Sequence, residues 1–260
     1  MGALRVIKEL LKLRFQWELA FRIDAILSLL ASLLYIVGGV LLFEVIYARV
    51  ESIGGWGRPE GLALVGTLAL LLELEGSLLR GGLQHLPSLV HKGRLEQYLL
   101  RPVPAPLLLA FSKAIPTRVI WRLPLGVVVV AYALSLAPPL PERLLFYSLS
   151  ILISLGIYAL MVFCLVCLSF WVIEMQNLFW VIYDLVEFAR YPASVYRGVF
   201  RLFLSTVLPL LVLANFPVQL LLRGDSPLLL LHQFLVLLGF WGLGWALWRR
   251  GLQRYQGAGG

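Results

Sequence analysis

Few residues in this chain have the types and spacing that chemistry requires. Cys164 and Cys167 form a C-x-x-C, a spacing used by metal sites and redox pairs. A tetrahedral site needs more ligands, and no His, Asp or Glu stands beside them in "MVFCLVCLSF". Two small packing residues and no metal site are the expectation. His85, His91 and His232 are scattered with no shared partner, and Asp184 and Asp225 fall in segments expected on opposite sides of the fold, so they cannot share a proton. No H-E-x-x-H, G-x-S-x-G or G-x-x-x-x-G-K-[ST] occurs, which removes the zinc pair, the serine elbow and the phosphate-cradling loop. The chain is therefore expected not to be an enzyme and to bind no cofactor itself. Any ATP it depends on would be held by another polypeptide.

The elements that carry these residues belong to a membrane. The 260 residues are 60% hydrophobic and 14% charged, with mean hydropathy +0.89, more apolar surface than a soluble domain of this size could bury. A span needs about 20 mostly apolar residues, and six segments qualify: 24–48, 61–80, 119–137, 143–168, 199–215 and 229–248. Their long, unalternating, Leu-rich runs predict helices rather than a barrel. With the N-terminus inside, only Arg49, Arg58, Arg143 and Arg223 of the 22 Lys and Arg lie outside, so both termini are expected in the cytoplasm. The net charge of +8 then reads as topology and contact with anionic lipid, not as nucleic-acid binding.

Residues 1–23 lack the apolar core and cleavage site of a signal peptide. Arg5, Lys8, Glu9, Lys12 and Gln16 recur on one helical face and Leu4, Ile7, Leu11 and Phe15 on another, which predicts an amphipathic helix along the inner leaflet. Within the spans, Glu44 lies near an outer end. Glu73 and Glu75 stand about 200° apart at 100° per residue and cannot face one neighbour; they are candidates for a translocation path or an intersubunit contact, with Arg80 a possible partner.

Residues 81–118 and 169–198 are the expected cytoplasmic loops. The first contains "GRLEQYLLRPVP": Gly93 allows a sharp entry, Leu95, Tyr98 and Leu99 can share a face, Arg94, Glu96, Gln97 and Arg101 stay polar, and Pro102 and Pro104 stop the helix. A short helix joined to two spans suits a subunit that receives motion from a soluble motor.

The stretches "GGWGRPEGLAL", "VHKGRLEQYLLRPVPAPL", "FARYPASVYRGVFRLFLSTVLP", "ANFPVQLLL" and "WRRGLQRYQGAG" make the chain resemble, nearly end to end, the type-2 ABC transporter permeases described as ABC-2 family transporter proteins. The resemblance implies an all-α, six-span exporter fold in a single transmembrane domain, 1–260, in a bacterial plasma membrane. It implies two partners, a separate ATP-binding subunit that carries ATP and Mg and a second permease, identical or related. It places the coupling helix at Gly93, Arg94, Leu95, Glu96, Tyr98, Leu99 and Arg101, the connecting helix at the N-terminus, and a second cytoplasmic contact in the 169–198 loop, with Glu174, Asp184 and Glu187. The cargo is not named by it; short outside segments favour amphipathic small molecules or lipids for efflux. A gradient-driven transporter or a non-transporting scaffold subunit is the alternative. Such carriers often show repeated halves with broken helices, and here Pro209 and Pro217 are the only hints of a break.

Overall fold

The computed structural model describes residues 3–18, 22–172 and 182–255. All the long elements are helices: α1 (Ala3–Glu18), α2 (Arg22–Tyr47), α3 (Arg58–Glu75), α4 (Leu86–His91), α5 (Glu96–Leu99), α6 (Ala105–Phe111), α7 (Pro116–Leu136), α8 (Pro141–Cys167), α9 (Gly198–Thr206), α10 (Leu210–Val218) and α11 (Leu228–Arg254). Among the described residues, five helical stretches are long and apolar enough to span a membrane: Ala25–Tyr47, Arg58–His91, Pro116–Leu136, Pro141–Phe170 and Leu228–Arg254.

α3 is the central post. Glu60 accepts the Gly57 N–H and Pro59 occupies the first turn, which together start the helix. It packs along α7 where Gly66 faces Gly126: a methyl at Gly66 would lie 2.9 Å from the Val130 nitrogen and 3.2 Å from the Gly126 carbonyl. Lipid gives helices no hydrophobic reason to associate, so close backbone approach supplies the dispersion that does. α2 shows the complementary pattern. Ser32, Ile36, Gly39 and Phe43 form one buried stripe, while Leu27, Leu34 and Leu41 project outward as lipid-facing residues should. Hydrogen bonds in a dry interior add to this packing: Gln233 of α11 accepts from Ser150 (2.7 Å) and donates to Ser154 (2.9 Å) and the Val212 carbonyl (3.3 Å), tying α8, α10 and α11 together.

Below Glu75 the helix does not simply end at residue 80 as expected. A π turn, Gly76–Arg80, inserts one extra residue, and the helical path continues through Gly81–Leu83 to α4. Gly82 is required there, because a Cβ would lie 2.0 Å from the Leu109 carbonyl oxygen of α6.

Two expectations are corrected. Segment 199–215 is not one straight span: α9 and the Leu210–Arg223 stretch meet at 87° around Pro209. Proline lacks an N–H and disfavours helix at the residue before it, so the apolar run turns without losing hydropathy. Segment 169–198 is not wholly a loop on the face of 81–118. Tyr183 lies near that face, accepting from Gln84 (3.2 Å), but Tyr191 stacks on Phe43 and the Ser194 hydroxyl donates to the Gly54 carbonyl (2.6 Å) in the turn joining α2 to α3. Residues 182–195 thus pass from beside Gln84 to the turn joining α2 to α3. Residues 173–181, with Glu174, lie outside the described residues.

Candidate functional site

The 93–101 segment lies at the end of the bundle where α1 and the last turn of α11 also arrive. Its entry is a helix stop: Gly93 has φ 63°, its N–H donates to Val90 (3.2 Å), and the Arg94 N–H donates to Leu89 (2.8 Å). That turn drives Leu95 into the core, where it is 0% exposed, and the Leu95 N–H donates to the Tyr255 hydroxyl (3.1 Å). α5 is only four residues long and ends before Pro102.

The sequence-derived residues do share this surface, with different roles. Arg94, Glu96, Leu99 and Arg101 face outward, Tyr98 is half-buried, and Leu95 is an internal anchor rather than a contact. Leu100, which no periodicity in the sequence singles out, is 85% exposed, against 38% for Leu99. It sits past the last turn of α5, where the following Pro102 and Pro104 keep the chain from folding it back. An apolar side chain there has no intrachain reason to be in water.

Two further features support the segment. Arg14 of α1 donates to the Ser112 carbonyl through Nε (3.0 Å) and Nη2 (2.5 Å), clamping α1 beside α6. Between α1 and the loop lies a groove of about 500 Å³ lined by Val6, Leu10, Leu13, Tyr98, Arg101 and Val103. Partial burial, with the Arg14 charge close by, lowers the Lys113 pKa below the ordinary lysine range.

The two carboxylates of α3 turn to different neighbours, as their angular separation requires. Glu73 pairs with Arg122 of α7 (2.9 Å) and accepts from Ser32 of α2 (2.7 Å), while Arg122 also donates to the Ser28 carbonyl (2.8 Å). Three spans meet at that neutralised pair. Glu75, 0% exposed, pairs with Arg80 (2.9 Å) across the π turn, so the ion pair joins the first side of the bulge to the last. Arg80 lies over the Tyr183 ring, 4.0 Å from its centroid. A charge inside a membrane needs such partners. Farther along, the Tyr35 hydroxyl donates to Glu187, which also pairs with Arg190 (2.7 Å), and Glu44 pairs with Arg58 (2.9 Å) at the far end.

Among the described residues, no group of His, Cys, Asp and Glu could hold a metal, and Cys164 and Cys167 are buried free thiols within α8. A family profile described as "ABC-2 family transporter protein" matches residues 33–259. Comparisons with curated proteins and with solved structures returned no match.

Proposed function

The chain belongs to the ABC-2 transporter family, as a multi-pass membrane protein, and from that premise we propose that it is the permease subunit of an ATP-binding cassette exporter whose ATPase docks on the 93–101 loop. The observation that carries this reading is the pairing of an exposed tip with an immobile root. Leu100 and Arg101 project into solvent, while Leu95 is locked in the core and bonded to Tyr255. The loop is joined through α4 and the π turn to α3, the most buried span. A force applied at the tip is therefore carried into the bundle instead of being absorbed by loop motion.

In this proposal ATP and Mg sit on the partner subunit, a second permease, identical or related, completes the path, and the complex works in the bacterial plasma membrane. α1, lying along the groove, is the second part of the docking surface. Of the two carboxylates, Glu73 is the one a route could meet, because its side chain remains 14% exposed between α2 and α7 while Glu75 is closed off.

The test is co-purification with the cassette ATPase, followed by Leu100→Asp and Arg101→Glu. Both variants are expected to insert and melt as the parent does, yet to lose at least about ten-fold of the transport-linked ATPase stimulation, as removal of a central interface contact does. Unchanged stimulation in both would remove the loop from the docking surface.

A further inference from the structure

A second cavity, of about 360 Å³, opens on the membrane-facing side between α6, α8 and α11. Its walls are almost entirely apolar: Leu79, Leu107, Phe111, Leu160, Trp241 and Trp245. Trp241 and Trp245 are 60% and 52% exposed, so the cleft is a surface feature and not a packing void. It approaches the end of the bundle that holds the 93–101 loop, since α11 runs from Leu228 at the opposite end to Tyr255 beside Leu95.

Past that end of the cleft, one helical turn beyond Trp245, stands Arg249, its guanidinium 5.8 Å from the Trp245 ring centroid, with Arg250 next to it and also exposed. No acidic residue follows Asp225 in the sequence, and neither arginine makes an ion pair among the described residues. At 100° per residue Arg250 lies about 140° around α11 from Trp245, so Arg249 is the uncompensated cation at the mouth of the apolar cleft.

We propose that this cleft binds an anionic phospholipid of the leaflet on the loop side, one acyl chain lying against Trp241 and Trp245 and the phosphate at Arg249. The apolar walls alone cannot select a lipid, because any acyl chain is equally at home in the surrounding bilayer. Selection comes from Arg249, which is worth roughly a five-fold preference for an anionic over a net-neutral headgroup. A second copy of the chain is a poorer occupant: in a two-fold contact it presents this same patch, which carries Arg249 and no carboxylate to meet it.

The experiment is native mass spectrometry of the full chain, with its ATPase if that co-purifies, after exchange into equal amounts of phosphatidylglycerol and phosphatidylcholine. The parent is expected to retain phosphatidylglycerol preferentially. Arg249→Gln should lower that preference roughly five-fold, while Arg197→Gln with Arg201→Gln, remote from the cleft, should leave it intact. Ala159→Trp fills the cleft and should remove the retained lipid; Leu107→Trp does the same from the facing helix, in case the first variant does not fold. Undiminished retention in a folded cleft-filling variant overturns the proposal, as does an unchanged headgroup preference in Arg249→Gln. Disulfide formation between copies through Trp241→Cys would assign the cleft to a second chain instead and overturn it equally.

Discussion

Replacing Arg80 with methionine removes one partner of an ion pair whose other member has no access to water. Glu75 is 0% exposed and its second carboxylate oxygen has no partner, whereas the Arg80 side chain is 31% exposed. The two single losses are therefore unequal. Arg80→Met strands a charge in the interior, at about 3–5 kcal/mol. Glu75→Gln leaves an arginine that already reaches toward water and can still donate to the amide, at about 1–2 kcal/mol. At about 2–4 °C per kcal/mol for a chain of this size, Arg80→Met should melt roughly 6–20 °C below the parent, and Glu75→Gln only a few degrees below. Adding Glu75→Gln to Arg80→Met should recover most of the larger loss, because the stranded charge disappears with it. The assay is intrinsic tryptophan fluorescence during heating in one detergent at one scan rate, since irreversible unfolding makes the midpoint rate-dependent. Equal shifts for the two single variants, or a double variant whose shift is their sum, would refute the argument that the pair is held by asymmetric burial.

The remaining predictions address neighbouring contacts. Gly82→Ala places a methyl 2.0 Å and 2.5 Å from the Leu109 and Ala110 carbonyl oxygens; since backbone must move, its cost should exceed the usual overpacking range of about 1–3 kcal/mol, read as a lower melting midpoint. Asn215→Leu deprives the Ala193 N–H and the Ala189 and Tyr191 carbonyls of their partner, and should cost at least about 2 kcal/mol and speed proteolysis near residues 187–195. Leu95→Asp buries an unpaired carboxylate and should reduce folded yield sharply, whereas Leu100→Asp at an exposed position should stay within about 0.5 kcal/mol of the parent; size-exclusion profiles separate the two.

The spans that hydropathy shows most plainly are the five long apolar helices, although Glu75 and Gln233 are buried within them by their partners and not placed by polarity. The sixth candidate could not be resolved that way, because Leu, Val and Pro run through Leu208 and Pro209 without a drop in apolar character while the backbone turns by 87°. Segment 182–195 misled for the opposite reason. Glu187 is expected in a second cytoplasmic contact, yet it and Arg190 neutralise each other against Tyr35 and so tolerate a place beside α2. The separation of Glu73 from Glu75 was legible because helical periodicity alone fixes it. In the loop, periodicity gave Leu95, Tyr98 and Leu99 a common face, but only the turn at Gly93 decides that Leu95 points inward and that Leu100 is left outside.

The bond between Tyr255 and Leu95 bears on how the protein is handled in the laboratory. A purification handle or fluorescent reporter fused at Gly260, five residues past Tyr255, is tethered to the backbone that shapes the 93–101 surface, and one fused ahead of Met1 is tethered to the start of α1 beside the groove. Either could silence a working complex and be mistaken for a missing partner. The exposed turn from Gly224 to Pro227, at the far end of the bundle, offers a place for an epitope that leaves both untouched.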